Sequence, residues 1–116
     1  MARRQLSIYF QDIEESIELI EQYSSGINQI DFEANPEKQD AVLRRLAIIG
    51  EAIKNIPNEF RAKYPDMPWR EAAGLRDVVI HEYFGVSLEV IWNVIIKELP
   101  PLKLQIQTIR RELAGA

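Results

Sequence analysis

Cysteine is absent from this 116-residue chain, and histidine occurs once, as His81. The first absence removes disulfides and thiolate zinc sites and fits a reducing compartment such as the cytoplasm. With one imidazole, no clustered metal ligands and no glycine-rich phosphate loop, neither a metal nor a cofactor is expected. Acid-base chemistry near neutral pH then falls to His81. The opening Met-Ala-Arg-Arg-Gln is a basic flank with no continuous apolar stretch behind it, and no later run approaches a membrane span. A soluble, cytoplasmic protein is expected, with no membrane partner. Excess positive charge is missing too. The formal net charge of -4 argues against indiscriminate binding to polyanions, so any nucleic-acid contact must be local.

What is present is an ordinary globular composition, 47% apolar and 28% charged, which predicts one domain over residues 1–116. A chain of this length buries roughly two thirds of its unfolded surface and folds without staples. Its periodicity is helical throughout. From about Gln5 to Ser24, Leu6, Phe10, Ile13, Ile17 and Ile20 form one stripe, while Asp12, Glu14, Glu15, Glu18 and Glu21 read as a solvated face. Residues 25–35 read as a loop that tucks Ile27, Ile30 and Phe32 against the core. Asn35-Pro36 then starts a helix, because asparagine can accept from free amides and proline suits the first helical position.

Val42 or Leu43, Leu46, Ile49, Ile53 and Ile56 carry that helix to Pro57. Gly50 in its middle is either a tolerated glycine or the mark of a close backbone approach, such as one across a subunit interface. Between Pro57 and Pro68 one helical turn and an irregular connection are expected. Arg61 and Lys63 stand there beside Phe60 and Tyr64, a mixture that fits either contact with single-stranded RNA or simple anchoring of the loop.

A further helix starts near Pro68 or Trp69 with the stripe Trp69, Ala72, Arg76, Val79 and Tyr83. Arg76 falls on the apolar face, where it requires an anion: a buried acid of another helix, or a phosphate held in a cleft. His81 follows five residues later, roughly 140° round an ideal helix. The turn Gly85-Val86-Ser87 comes soon after, so a frayed or bent helix end is expected to let the ring swing toward Arg76. By itself a single histidine such as His81 is more often a capping or interface residue than a catalyst. Ser87 caps the last segment, in which Trp92, Ile95, Leu99, Leu102, Ile106, Ile109 and Leu113 keep phase across Pro100-Pro101. A kinked helix or two coaxial helices are expected there. The fold class is all-α, an up-and-down bundle of four to five helices.

Arg76-Asp77-Val78-Val79-Ile80-His81-Glu82-Tyr83 has the form R-x4-H-x-Y. With Pro68-Trp69, Gly74-Leu75, Val90-Ile91-Trp92, Ile49-Gly50-Glu51-Ala52 and Leu99-Pro100 around it, the chain resembles the HepT branch of the HEPN superfamily over nearly its whole length. The resemblance implies a ribonuclease toxin of a toxin-antitoxin pair, active as a homodimer whose two motifs face one cleft. It implies a small nucleotidyltransferase antitoxin of the MNT type that silences the toxin by attaching AMP to Tyr83. At the position after the arginine the branch often has a polar residue. Here it is Asp77, able to orient Arg76 or His81 while adding negative charge near the phosphate site.

The chemistry such a motif can perform follows from its groups. RNA carries its own nucleophile, the 2'-hydroxyl, so cleavage needs a proton acceptor, a proton donor and a cation for the developing phosphorane charge. His81 can act as base or acid, Arg76 supplies the charge, and a second His81 from a dimer mate completes the pair. Tyr83 can hydrogen-bond a phosphate oxygen or pack with its hydroxyl at the rim. The competing readings are a nucleotide- or RNA-binding module without turnover, and a helical adaptor in which Arg76 and His81 are dispensable.

Overall fold

The computed structural model describes residues 1–77 and 87–115. Among them every regular element is helical and none is a strand. The chain is an all-α helical bundle, and no helix of the described residues is long and apolar enough to cross a membrane.

Helix α1 spans Arg3–Ser24 and buries the expected stripe, Leu6, Phe10, Ile13, Ile17 and Ile20. Helix α3, Pro36–Lys54, begins where Asn35 and Pro36 placed it: the Asn35 side chain accepts from the Lys38 amide at 3.1 Å. It buries Val42, Leu46, Ile49 and Ile53, with Leu43 only partly covered. Lys38 Nζ near the start of α3 donates to the Tyr23 carbonyl near the end of α1 at 2.7 Å, so the two helices form an antiparallel hairpin.

The connection between them is more ordered than a plain loop. A one-turn helix, α2 at Gln29–Glu33, is held by reciprocal bonds in which the Asn28 side chain accepts from the Asp31 amide and the Asp31 carboxylate accepts from the Asn28 amide. The turn drives Phe32 fully into the core but rotates Ile30 outward, 77% exposed, against the expectation that both tuck inward. Side chains two apart on a helical turn cannot share one face.

After α3 come the single turn α4, Asn58–Arg61, and the short helix α5, Trp69–Ala73. Phe60 and Trp69 both pack on Phe10, at ring separations of 5.6 and 6.3 Å, each burial being worth roughly 1.5–3 kcal/mol. The final segment runs α6, Leu88–Asn93, a π-helical turn Val94–Glu98, and α7, Leu99–Gly115. Ser87 caps α6 through its hydroxyl, which accepts from the Glu89 amide at 3.0 Å.

The π-turn resolves the Pro100-Pro101 problem without a break. Both prolines lack a donor and would crowd the carbonyls four residues back, and the widened turn ends with the Leu99 amide bonded five residues back, to Val94. It also corrects the expected stripe, since the extra residue in the turn rotates α6. Ile91 is fully buried in the place assigned to Trp92, which is half-buried against Phe32 at 5.5 Å.

Helix α7 lies antiparallel to α1, as the pairs Glu14–Arg110 and Glu21–Lys103, both at 2.8 Å, require. Glu14 is therefore not part of a merely solvated face. Its carboxylate accepts from Arg110 and, at 3.1 Å, from Gln107. Burial alone would raise its pKa, but the hydrogen bonds from Arg110 and Gln107 and the Arg110 charge outweigh that and hold the carboxyl below its ordinary value.

Candidate active site

Arg76 sits just beyond α5, in a helical stretch over residues 75–77 that follows a turn at Gly74. Its neighbour Leu75 is buried and anchors the stretch to the core, while Arg76 lies at the edge of the apolar face. The backbone here presses on the middle of α3. A Cβ at Gly50 would stand 2.7 Å from the Arg76 amide nitrogen, 2.9 Å from the Arg76 Cβ and 3.0 Å from the Ala73 carbonyl oxygen. Gly50 marks a close backbone approach, but the approaching segment belongs to the same chain.

The next residue of α3 supplies the anion that the guanidinium requires. Arg76 Nη1 pairs with Glu51 Oε1 at 2.5 Å. The acid does come from another helix, yet the pair is open to water, with side-chain exposures of 43% for Arg76 and 49% for Glu51. An ion pair this exposed contributes at most about 1 kcal/mol. Asp77 is exposed and its amide donates to the Gly74 carbonyl at 2.9 Å; the carboxylate paired with Arg76 is that of Glu51.

His81 and Tyr83, with Val79 and the turn at Gly85-Val86, lie outside the described residues. The described part of the site is thus the Arg76 corner: a fixed backbone, one solvent-open guanidinium, and two carboxylates nearby in sequence or space. An arginine so placed can bind and stabilise a phosphate through its planar donors.

Arg61 is engaged elsewhere. Its Nε donates to the Ile56 carbonyl at 3.0 Å and its Nη2 to the Ile53 carbonyl at 2.7 Å, so it closes the end of α3, and its guanidinium lies 5.8 Å from the Trp69 ring centre. The Trp69 indole N–H donates back to the Arg61 and Tyr64 carbonyls at 3.2 and 3.0 Å. Lys63 is exposed, its ammonium 5.7 Å from the Phe60 ring centre. The Tyr64 hydroxyl donates to the Glu112 carboxylate on α7; burial, the hydrogen bond and the Glu112 charge push the phenol up to about 12. These contacts tie the 61–69 connection to the bundle.

Glu51 is the residue that sequence reasoning did not single out for the site. Its signal was present only as part of Ile49-Gly50-Glu51-Ala52, since nothing in spacing along the chain links position 51 to position 76.

Comparison with known proteins agrees with the family resemblance. The family model described as "Ribonuclease HepT-like" matches residues 13–109. Over 103 residues the chain is 47% identical to the "Probable ribonuclease HepT" of Thermococcus cleftensis, covering 89% of this chain and 94% of that one. It is 46% identical over 101 residues to a "Putative RNase" of Caldanaerobacter subterraneus, covering 87% and 90%. It is also 50% identical over 111 residues to the "Gamma-glutamylcyclotransferase and putative RNase" of Methanocaldococcus jannaschii, covering 96% of this chain and half the length of that relative. No solved structure matches the chain. With a family model spanning most of its length and relatives this similar over nearly their whole extent, the chain belongs to the HepT-like ribonuclease family.

Proposed function

We propose that this chain is a metal-independent endoribonuclease that cleaves RNA by attack of the 2'-hydroxyl on the adjacent phosphate, and that it acts in the cytoplasm as the toxin of a toxin-antitoxin pair. The observation that carries the reading is the seat of Arg76: a guanidinium at the head of the R-x4-H-x-Y segment, fixed in backbone by Gly50 and left open to solvent. Arg76 stabilises charge on the pentacoordinate phosphorus. Such a donor is worth roughly 3 to 4 kcal/mol by analogy with oxyanion sites.

His81 removes the 2'-hydroxyl proton, or returns one to the departing 5'-oxygen. One chain has one histidine, so base and acid come from the two copies of a homodimer. The balance is simple: the 2'-oxygen forms a bond to phosphorus, the bond to the 5'-oxygen breaks, and one proton passes from the first oxygen to the second through the imidazoles. The product is a 2',3'-cyclic phosphate. The implied antitoxin is an MNT-type nucleotidyltransferase that transfers AMP to Tyr83.

The test is cleavage of RNA by the purified protein in the presence of a chelator, with the new ends identified by mass spectrometry. Cyclic phosphate ends are expected. Cleavage that requires a divalent ion, or that leaves 5'-phosphates, overturns the mechanism.

A further inference from the structure

We propose that Glu51 is a positioning residue for Arg76: it holds one nitrogen of the guanidinium so that the remaining donors face the phosphate. The close contact of the ion pair is made by Nη1. Among the described residues Nε and Nη2 donate no side-chain hydrogen bond, and these two N–H groups form the fork that matches two phosphate oxygens.

Two features distinguish this pair from an ordinary surface ion pair. First, its ends are mounted on backbone that cannot drift apart. Gly50 lets the Arg76 amide and Cβ approach to distances no side chain at position 50 would allow, and Glu51 is the next residue of the same helix. A surface pair usually spends its attraction on ordering two long side chains; here the backbone packing has already fixed where both start. Second, both side chains remain about half exposed, so a phosphate can reach the guanidinium without Glu51 leaving. A cation aimed before substrate arrives needs no reorganisation during the reaction.

For its kinetic consequence the proposal rests on the ribonuclease reading, whereas its structural core can be read directly from the guanidinium. In ¹⁵N–¹H spectra of the full chain, the Arg76 side-chain signal is assigned by its loss in Arg76→Lys. Native protein should show Arg76 Nη protons restrained in rotation. Glu51→Ala should collapse them into an averaged signal, and Glu51→Gln, whose amide oxygen still accepts, should keep part of the restraint. An Arg76 signal unchanged in Glu51→Ala overturns the proposal.

In RNA cleavage, Glu51→Ala should lower kcat about tenfold, since small misplacements of a catalytic group are costly, with KM within about twofold of native. Glu51→Gln should recover most of that loss. A Glu51→Ala protein with native kcat overturns the proposal. So does one whose loss is not relieved in Glu51→Gln while both variants melt well below native, which is the mark of a structural role. If native protein cleaves no RNA, the ribonuclease reading fails by itself, and the guanidinium signal still decides for or against Glu51.

Discussion

Gly50 and Arg76 meet more closely than any other residue type at position 50 would permit, the Cβ site of the first standing 2.7 Å from the amide nitrogen of the second. Two helical segments far apart in sequence are locked together at the residue that carries the candidate site's guanidinium. Gly50→Ala gains about 1 kcal/mol of helix propensity, but overpacking against backbone costs roughly 1–3 kcal/mol. The neighbours it would strike, an amide nitrogen and a carbonyl oxygen, have little room to give. The variant should melt a few degrees lower by circular dichroism and lose cleavage. Gly115→Ala, where nothing stands within 4 Å, serves as the control. A Gly50→Ala protein that melts higher than native and cleaves normally would contradict this contact.

The Glu14 contact between α1 and α7 sets a pH dependence of stability. Its carboxyl is held below the ordinary 4.5 because the Arg110 and Gln107 bonds outweigh burial. A depressed folded-state pKa means that the stabilisation is present in full above the unfolded value and is lost as pH falls through the folded one. Native protein should therefore lose stability in urea melts as pH drops below 4.5, and Glu14→Gln should show a shallower decline. Equal slopes would remove Glu14 from the acid response.

Where local signals decided the fold, the sequence was enough. Asn35-Pro36, Ser87 and the α1 stripe act within one turn of chain, and each does in the structure what its chemistry requires. Errors arose where one residue shifts a face. The Asn28–Asp31 capping turned Ile30 outward, and the π-turn before Pro100 exchanged Trp92 for Ile91. Periodicity assumes a constant number of residues per turn, and a π-turn violates that assumption. At the site, Arg76 was legible as a cation needing an anion, and Gly50 as a possible close approach. That each answers the other is a tertiary fact. Glu51 could be assigned to Arg76 only after α3 and the segment behind α5 had been brought together, and Arg61, legible as a basic residue near aromatics, proved to be capping carbonyls.

Control of the activity is predicted to act through Tyr83, seven residues after Arg76 in the sequence, a spacing that an ideal helix would make roughly 10 Å. An AMP on that phenol would place a phosphate within reach of Arg76 and fill space that RNA must occupy. Incubation with the cognate nucleotidyltransferase, ATP and magnesium should add one AMP per chain and abolish cleavage, and Tyr83→Phe should escape both. Peptide mapping that finds the group on Tyr9, Tyr23 or Tyr64, or finds none, would refute this control.

The most direct test of the whole account is RNA cleavage by Arg76→Ala, with folding checked by dichroism and melting. Arg76 is 43% exposed and its ion pair is open to water, so its loss should leave the bundle and its melting nearly unchanged. Cleavage should fall by about 10²- to 10³-fold, the usual effect of removing one preorganised donor to a developing charge. A folded Arg76→Ala protein that cleaves RNA at the native rate would contradict the claim that this guanidinium is the cation of the active site.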